Sequence, residues 1–362
     1  MMKRLMQRLY SWLDARLLPI AARNRLLANC YYALFNPHFR REQWATVAGR
    51  HHYYLHEATS QIASVILRRN LHRLEKGISM TIRKPLFALD YIDETLNALQ
   101  NYLQQMVVID QALLSYCHDV LQQYFTITTW PTDAKQPKTF AELQAVIKSR
   151  LQQSTAFTPT AHTTTTACTT GLCAPQPYAT RVRANISYAE FLTLCQQRCS
   201  TRTFLAKAVP PELIELAISA AAQAPSACNR QPFRYVAALA EPMLSKLATL
   251  PMGTVGYAHN IPAILAVVGD LSAYPFERDR HIIYIDASLA NMQLMLALET
   301  LGLASCSINW PDMETYELKI SALLKLQPFE RVVMLIAVGY PDPEALIPFS
   351  QKKSATELVE YV

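Results

Sequence analysis

Glycine is scarce in this chain: 8 of 362 residues. None fall into G-x-G-x-x-G or G-x-x-x-x-G-K, which excludes a dinucleotide-binding Rossmann turn and a P-loop. No pair of cysteines has C-x-x-C spacing among the eight at 30, 117, 168, 173, 195, 199, 228 and 306, so zinc-finger and iron–sulfur frameworks are excluded. The plain expectation is reduced, mostly buried thiols in a cytoplasmic protein. No apolar run approaches 18 residues, which argues against a membrane-spanning helix. Charge is also sparse, at 17% of residues, with a net +6. That mild basicity suits an anionic cofactor or an acidic membrane surface and is too weak to imply nucleic acid.

What is present is apolar material, 51% of the chain, enough for a large core and for more than one folding unit. Residues 1–150 read as mostly helical, with breaks at Asn36-Pro37 and Lys84-Pro85 and a long unbroken stretch from Asp90 to Leu121. Residues 1–27 are basic, and their charges interrupt every apolar stretch, so the unbroken core of a secretory signal is missing. The Arg content is compatible with an organelle transit peptide, but an amphipathic helix describes the segment better. Leu5, Leu9, Trp12, Leu13, Leu17 and Ile20 recur at helical spacing, with Lys3, Arg4 and Arg8 mostly elsewhere. Such a helix either makes peripheral contact with a membrane or packs on this protein or its twin, the commoner outcome.

Residues 151–182 are rich in Thr, Ala and Pro, without apolar period, and read as a long surface loop or as a linker between units that touch little. From 183 to 362 the pattern alternates. Helices are expected at Tyr188–Arg198, Pro211–Gln223 and Ile285–Leu301, and strands at Phe233–Leu239, Ile264–Val268, Ala304–Ile308 and Val332–Val338. This is an α+β arrangement. The helix from Asp286 is apolar nearly all round, so it belongs in a core or between subunits, and Gly302 is its left-handed cap.

Four segments carry chemistry. Arg198-Cys199-Ser200-Thr201-Arg202-Thr203-Phe204 places two guanidinium groups and hydroxyls where an anion could be cradled. Ala224 to Phe233 holds Ser226, Asn229, Arg230 and Gln231 between Pro225 and Pro232, suiting a ring edged with carbonyls and N–H groups. Gly302-Leu303-Ala304-Ser305 offers small residues for close approach to a flat ligand. Gly339-Tyr340-Pro341 leads to a basic tail with Lys352 and Lys353. The bland readings are a solvated loop, a polar turn, a cap and a tail.

Taken in this order, the four resemble the nitroreductase family. The resemblance covers the chain from about residue 188 onward. It implies an FMN-binding α/β sandwich, preceded here by a mostly helical region, that works as a homodimer on a small-molecule substrate and passes electrons from NADH or NADPH. It also implies site residues. Arg198 and Ser200 would bind the FMN phosphate and ribityl chain, next to Cys199, which replaces a frequent arginine. Arg202 would lie at the pyrimidine edge. Pro225, Ser226, Asn229 and Gln231 would line the flavin, with Asn229 reaching it from the facing subunit, and Ser305 would run beside the ring. Lys352 or Lys353 would take a phosphate contact. No side chain is expected to act as a nucleophile and no metal is implied. Asn70 to Gly77 resembles a stretch in larger nitroreductase-like proteins often encoded with surface-polysaccharide genes. There His72, Glu75 and Lys76, with Gly77 as cap, either cover the flavin pocket or form a helix-end ion cluster. Other functions compatible with these residues are a dehydrogenase or dehalogenase acting on one metabolite, and a flavin-binding accessory protein without turnover.

Overall fold

The computed structural model describes residues 2–56, 60–105, 109–153, 172–180 and 182–362; most of the Thr-rich segment lies outside them. The front of the chain forms α1 (Met2–Ala21), α2 (Arg25–Cys30), α3 (Arg40–Leu55), α4 (Ser60–Ile78), α5 (Ile92–Gln105), α6 (Gln111–Ile127) and α7 (Lys135–Gln153). The stretch expected to run unbroken from Asp90 divides between α5 and α6. Asp110 caps the second helix, accepting from the backbone N–H groups of Ala112 and Leu113. Helices α4 to α7 enclose a core of their own, built on Leu67, Leu71, Leu99, Leu114, Leu121 and Ile147.

Gly77 does not cap α4 but sits inside it. A Cβ there would come within 2.2 Å of the Phe87 ring, so this glycine lets α4 and the chain before α5 touch.

The back of the chain forms α8 (Tyr188–Gln197), α9 (Pro211–Ala221), β1 (Phe233–Ala238), α10 (Met243–Ala248), β2 (Ala263–Asp270), α11 (Ile282–Thr300), β3 (Ala304–Asn309), α12 (Glu314–Leu324), β4 (Glu330–Gly339) and α13 (Ala355–Leu358). The strands make one antiparallel sheet in the order β1-β2-β4-β3. Alternate residues of β2 point to opposite faces. Ala263, Leu265 and Val267 join the layer of α9 and α11, whereas Ile264 and Ala266 join Leu247 of α10 and Ile320 of α12. Both faces are therefore covered, which explains why β2 reads as a continuous apolar run.

The segment Glu277–Thr300, which includes α11, is by length and composition apolar enough to cross a membrane. In this fold α11 packs on the sheet and α9, burying Asp286 and Asn291 with its inner side, and leaves Ile285, Leu289 and Met292 exposed. Gly302 follows it with φ +73°, as a left-handed end requires.

The Thr/Pro-rich composition suggests units that touch little; α3 departs from that. Ala45 is buried with Leu271, Ala273, Tyr274 and Ile283 of the back half. Gly49 meets the Leu271 backbone so closely that a Cβ would lie at 2.8 Å. Arg41 pairs with Asp312 beside the buried Arg331 and Glu317, and burial together with Arg331 pushes its guanidinium down to about 10. Arg50 donates to the Pro275 carbonyl at 2.9 Å and pairs with Glu277. These contacts are long-range in sequence, and composition carries no trace of them.

Candidate functional site

Helix α8 starts on a capping box, with Glu190 N–H donating to Ser187 Oγ at 3.2 Å and Ser187 N–H to Glu190 at 2.7 Å. It stops at Arg198, whose extended backbone turns the chain along the free edge of β3. Thr201 N–H donates to the Ser305 carbonyl at 3.1 Å, and Leu205 N–H donates to the Tyr340 carbonyl at 2.9 Å. Phe204 can lie on the sheet because residue 339 is glycine: a Cβ there would stand 2.7 Å from its ring. The first and third segments are thus joined, bringing Arg198, Cys199, Ser200, Arg202 and Ser305 to one edge.

Within this edge Cys199 Sγ lies 3.7 Å from Thr201 Oγ1, and Arg202 donates to the Ser200 carbonyl at 3.3 Å. The Arg202 guanidinium also lies beside the Tyr257 hydroxyl. Burial pushes that phenol's pKa up, and its hydroxyl donates to Cys306 Sγ at 3.9 Å. A cavity of about 320 Å³ opens between Arg202, Tyr257, Cys306 and Asn309. Arg198 Nε and Ser305 Oγ are buried and have no hydrogen-bond partner among the described residues. Unpaired buried donors cost about 1–3 kcal/mol each, and an anionic, hydroxyl-bearing ligand at this edge would satisfy both.

The second segment is built differently. Asp286, buried in the first turns of α11, accepts from Ser226 Oγ at 2.6 Å and from Ala227 N–H at 2.9 Å. Gln231 N–H donates to Ser226 Oγ at 2.8 Å, and Gln231 Nε2 donates to Asn229 Oδ1 at 2.9 Å. Cys228, Asn229 and Gln231 all have left-handed backbones, at φ 52°, 53° and 51°. Three such residues store about 1 kcal/mol or more apiece and persist only where the surroundings over-determine them. Part of that determination comes from the front half. Tyr116 of α6 donates to Glu75 of α4 at 2.5 Å and lies beside the Asn229 side chain; burial and then Glu75 push its pKa up. His72 Nδ1 stands 3.5 Å from Glu75. A cavity of about 570 Å³ lies among Arg68, His72, Pro225, Ser226, Asn229 and Gln231. His72 and Glu75 therefore stand behind the second segment, while Lys76 is exposed.

The two groups do not meet within one chain. The first touches the last turn of α11, where Gln197 donates to Glu299 at 3.2 Å; the second touches Asp286 near its start. At about 1.5 Å per residue these contacts are roughly 20 Å apart. Lys352 and Lys353 are exposed on the tail beyond β4. Sequence reasoning missed Tyr257, Asp286 and Tyr116 as supporting residues. The signal for Asp286 was a carboxylate placed well before Glu299 in a helix that is otherwise without acidic residues. Tyr116 had none, being 113 positions from Asn229.

Comparison with known proteins follows the same division. The model of the nitroreductase family matches residues 195–255 and 245–340. The chain is similar to a protein of Archaeoglobus fulgidus named as a candidate NADH dehydrogenase/NAD(P)H nitroreductase, 30% identical over 161 residues, which cover 43% of this chain and 87% of the relative. It is similar to the crystal structure of a nitroreductase family protein from Streptococcus pneumoniae, at 26% identity and TM-score 0.41, over 48% of this chain and all of the other. A candidate nitroreductase from Desulfovibrio desulfuricans, crystallised in complex with FMN, is 24% identical with TM-score 0.40, over 47% of this chain and 95% of its own.

Proposed function

The chain belongs to the nitroreductase family, and on that premise we propose that it is an FMN-dependent oxidoreductase drawing electrons from NADH or NADPH, with each cofactor held between two copies of the chain. The observation that carries the reading is the separation of the two polar segments to opposite ends of α11. The helix face between them is apolar and exposed at Ile285, Leu289 and Met292. Two copies pairing through that face about a two-fold axis, with their α11 helices antiparallel, bring the first segment of one to the second segment of the other, twice over. The tail adds to this: Leu346 and Phe349 are almost fully exposed, as in an arm whose cover is another molecule. Such an arm is the route by which Lys352 and Lys353 reach a phosphate.

The residues present fit FMN. Arg198 and Ser305 offer the unpaired donors that a phosphate and a ribityl hydroxyl require. With no glycine fingerprint, a mononucleotide is the suitable form. When bound, FMN supplies hydride acceptance from a nicotinamide and electron delivery to a second small molecule. The chain's part is positioning and charge. Arg202, beside Tyr257, would keep a cation at the pyrimidine edge, where negative charge develops on reduction. The left-handed turn at Cys228 to Gln231 presents its amides as a fixed wall. Pure protein should be yellow, release FMN on denaturation, bleach on addition of NADH or NADPH, and scatter light as a dimer. Released FAD, a colourless protein that FMN does not restore, or a monomer with full FMN occupancy would contradict the reading.

A further inference from the structure

The net charge of the chain is confined to its first 40 residues. They hold seven Lys and Arg, from Lys3 to Arg40, against Asp14 alone, leaving 27 basic and 27 acidic side chains in the other 322. The same residues carry an exposed apolar stripe. On α1 one side is packed: Tyr10 stacks on Phe35 with centroids 5.1 Å apart, Asp14 accepts from Tyr31, and Ala21 is buried. The other side is open. Leu5 is 69% exposed, Leu9 57%, Trp12 49% and Ile20 44%. At positions 5, 9, 12 and 20 they form one row about 22 Å long on a helix. Arg16 lies in that row with its guanidinium 3.9 Å from the Trp12 ring, and Arg8 flanks it. Leu26 and Leu34, at 71% and 81%, extend the apolar surface beyond α1.

We infer that this face docks on an anionic phospholipid surface, with α1 lying in the plane of the headgroups. A row of leucines and a tryptophan gains free energy by entering the interface, and the surrounding arginines gain by meeting negative headgroups. A second copy of the chain fits worse, because pairing this face with itself sets +6 against +6. A nucleic acid would satisfy the arginines and leave the leucines wet. The inference is independent of the flavin reading, since none of the residues named for FMN takes part.

The test is flotation of the full-length protein with vesicles at about 0.15 M salt. One set contains phosphatidylglycerol and phosphatidylcholine, the other phosphatidylcholine alone. The wild-type protein should float with the first set and remain behind with the second, with its tryptophan emission shifted to the blue. The double substitution Leu9→Glu/Trp12→Glu should abolish flotation while the circular dichroism and molecular mass stay unchanged. Arg8→Gln/Arg16→Gln should weaken binding about thirty-fold, equivalent to about 1 kcal/mol per arginine. Wild-type protein left behind by both vesicle sets, equal binding to both, or flotation of the Leu9→Glu/Trp12→Glu protein would overturn the inference. So would a fall in molecular mass of that variant, which would place the stripe between copies of the chain.

Discussion

The two polar segments of the candidate site are held by opposite means. The first, Arg198 to Phe204, is fastened by backbone bonds to the sheet edge, and its Arg198 Nε and the neighbouring Ser305 Oγ have no partner among the described residues. The second, Pro225 to Gln231, is bonded through its side chains to Asp286 and to itself, lies against Tyr116, and carries three left-handed residues. One is a cradle with bonds left to make. The other is a wall whose bonds are mostly made, Arg230 Nε being its buried donor without a partner among the described residues. A ligand should therefore stabilise the first and merely meet the second, and substitutions in the two should fail in different ways.

Asp286→Ala should have the largest effect. It removes a buried acceptor of two hydrogen bonds, each worth about 1.5–3 kcal/mol when the acceptor is charged, and it releases a strained turn. Urea unfolding should show a loss of about 3 kcal/mol, with Asp286→Asn keeping most of the stability. A loss under about 1 kcal/mol would mean the wall is not held this way.

Arg198→Ala should leave stability nearly unchanged and weaken FMN binding by about 2 kcal/mol, roughly thirty-fold. Arg202→Ala should retain most of the FMN but slow its bleaching by NADH or NADPH. If both substitutions do no more than weaken FMN by the same factor, the roles assigned within the cradle are wrong.

Tyr116→Phe deletes the hydroxyl that bonds Glu75 behind the wall and keeps the ring. A stability loss near 1 kcal/mol is expected, together with a change in KM for the electron-accepting substrate, since Asn229 loses a support. Unaltered KM and unaltered stability would show that the front helices do not brace the turn.

The smallest effect concerns Glu299 beside the cradle. Burial raises its pKa above 4.5, with Gln197 and then Arg198 pulling it back. A carboxyl whose pKa is raised in the fold contributes stability below its unfolded pKa and loses it as pH rises through the folded value. At pH 7 the ionised group is therefore carried at a cost, which solvent screening limits to about a few tenths of a kcal/mol. Glu299→Gln should stabilise slightly at pH 7 and not at pH 4. An equal gain at both would rule out ionisation as the cause.

The same contrast marks how far the sequence could be read. The cradle was legible because its parts are local. The arginines and hydroxyls of Arg198 to Phe204 are contiguous, and Gly302, which leads to Ser305, and Gly339, beneath Phe204, show up as glycines in a chain with few. The sheet was legible because its strands are short apolar runs, and α11 because its apolarity extends all round. The bracing of the wall was not, because Tyr116 and Glu75 approach Asn229 only after the front helices pack. Gly77 was misread for a related reason: near the end of an apolar run a cap and a contact glycine look alike, and only the Phe87 ring distinguishes them. The place of α3 in the back half's core was hidden by the Thr-rich stretch, whose composition suggests separation.

The shared site is the central claim, and a heterodimer tests it most directly. One copy would carry Arg198→Ala and the other Asn229→Ala with Gln231→Ala, each with its own affinity tag, and the pair would be purified through both tags and titrated with FMN. A site built from the cradle of one copy and the wall of the other predicts that half of the heterodimer's sites bind FMN as tightly as wild type. The other half should be weaker than in either mutant homodimer. Two sites of intermediate strength, each matching one mutant homodimer, would show that cradle and wall belong to the same chain and would contradict the account.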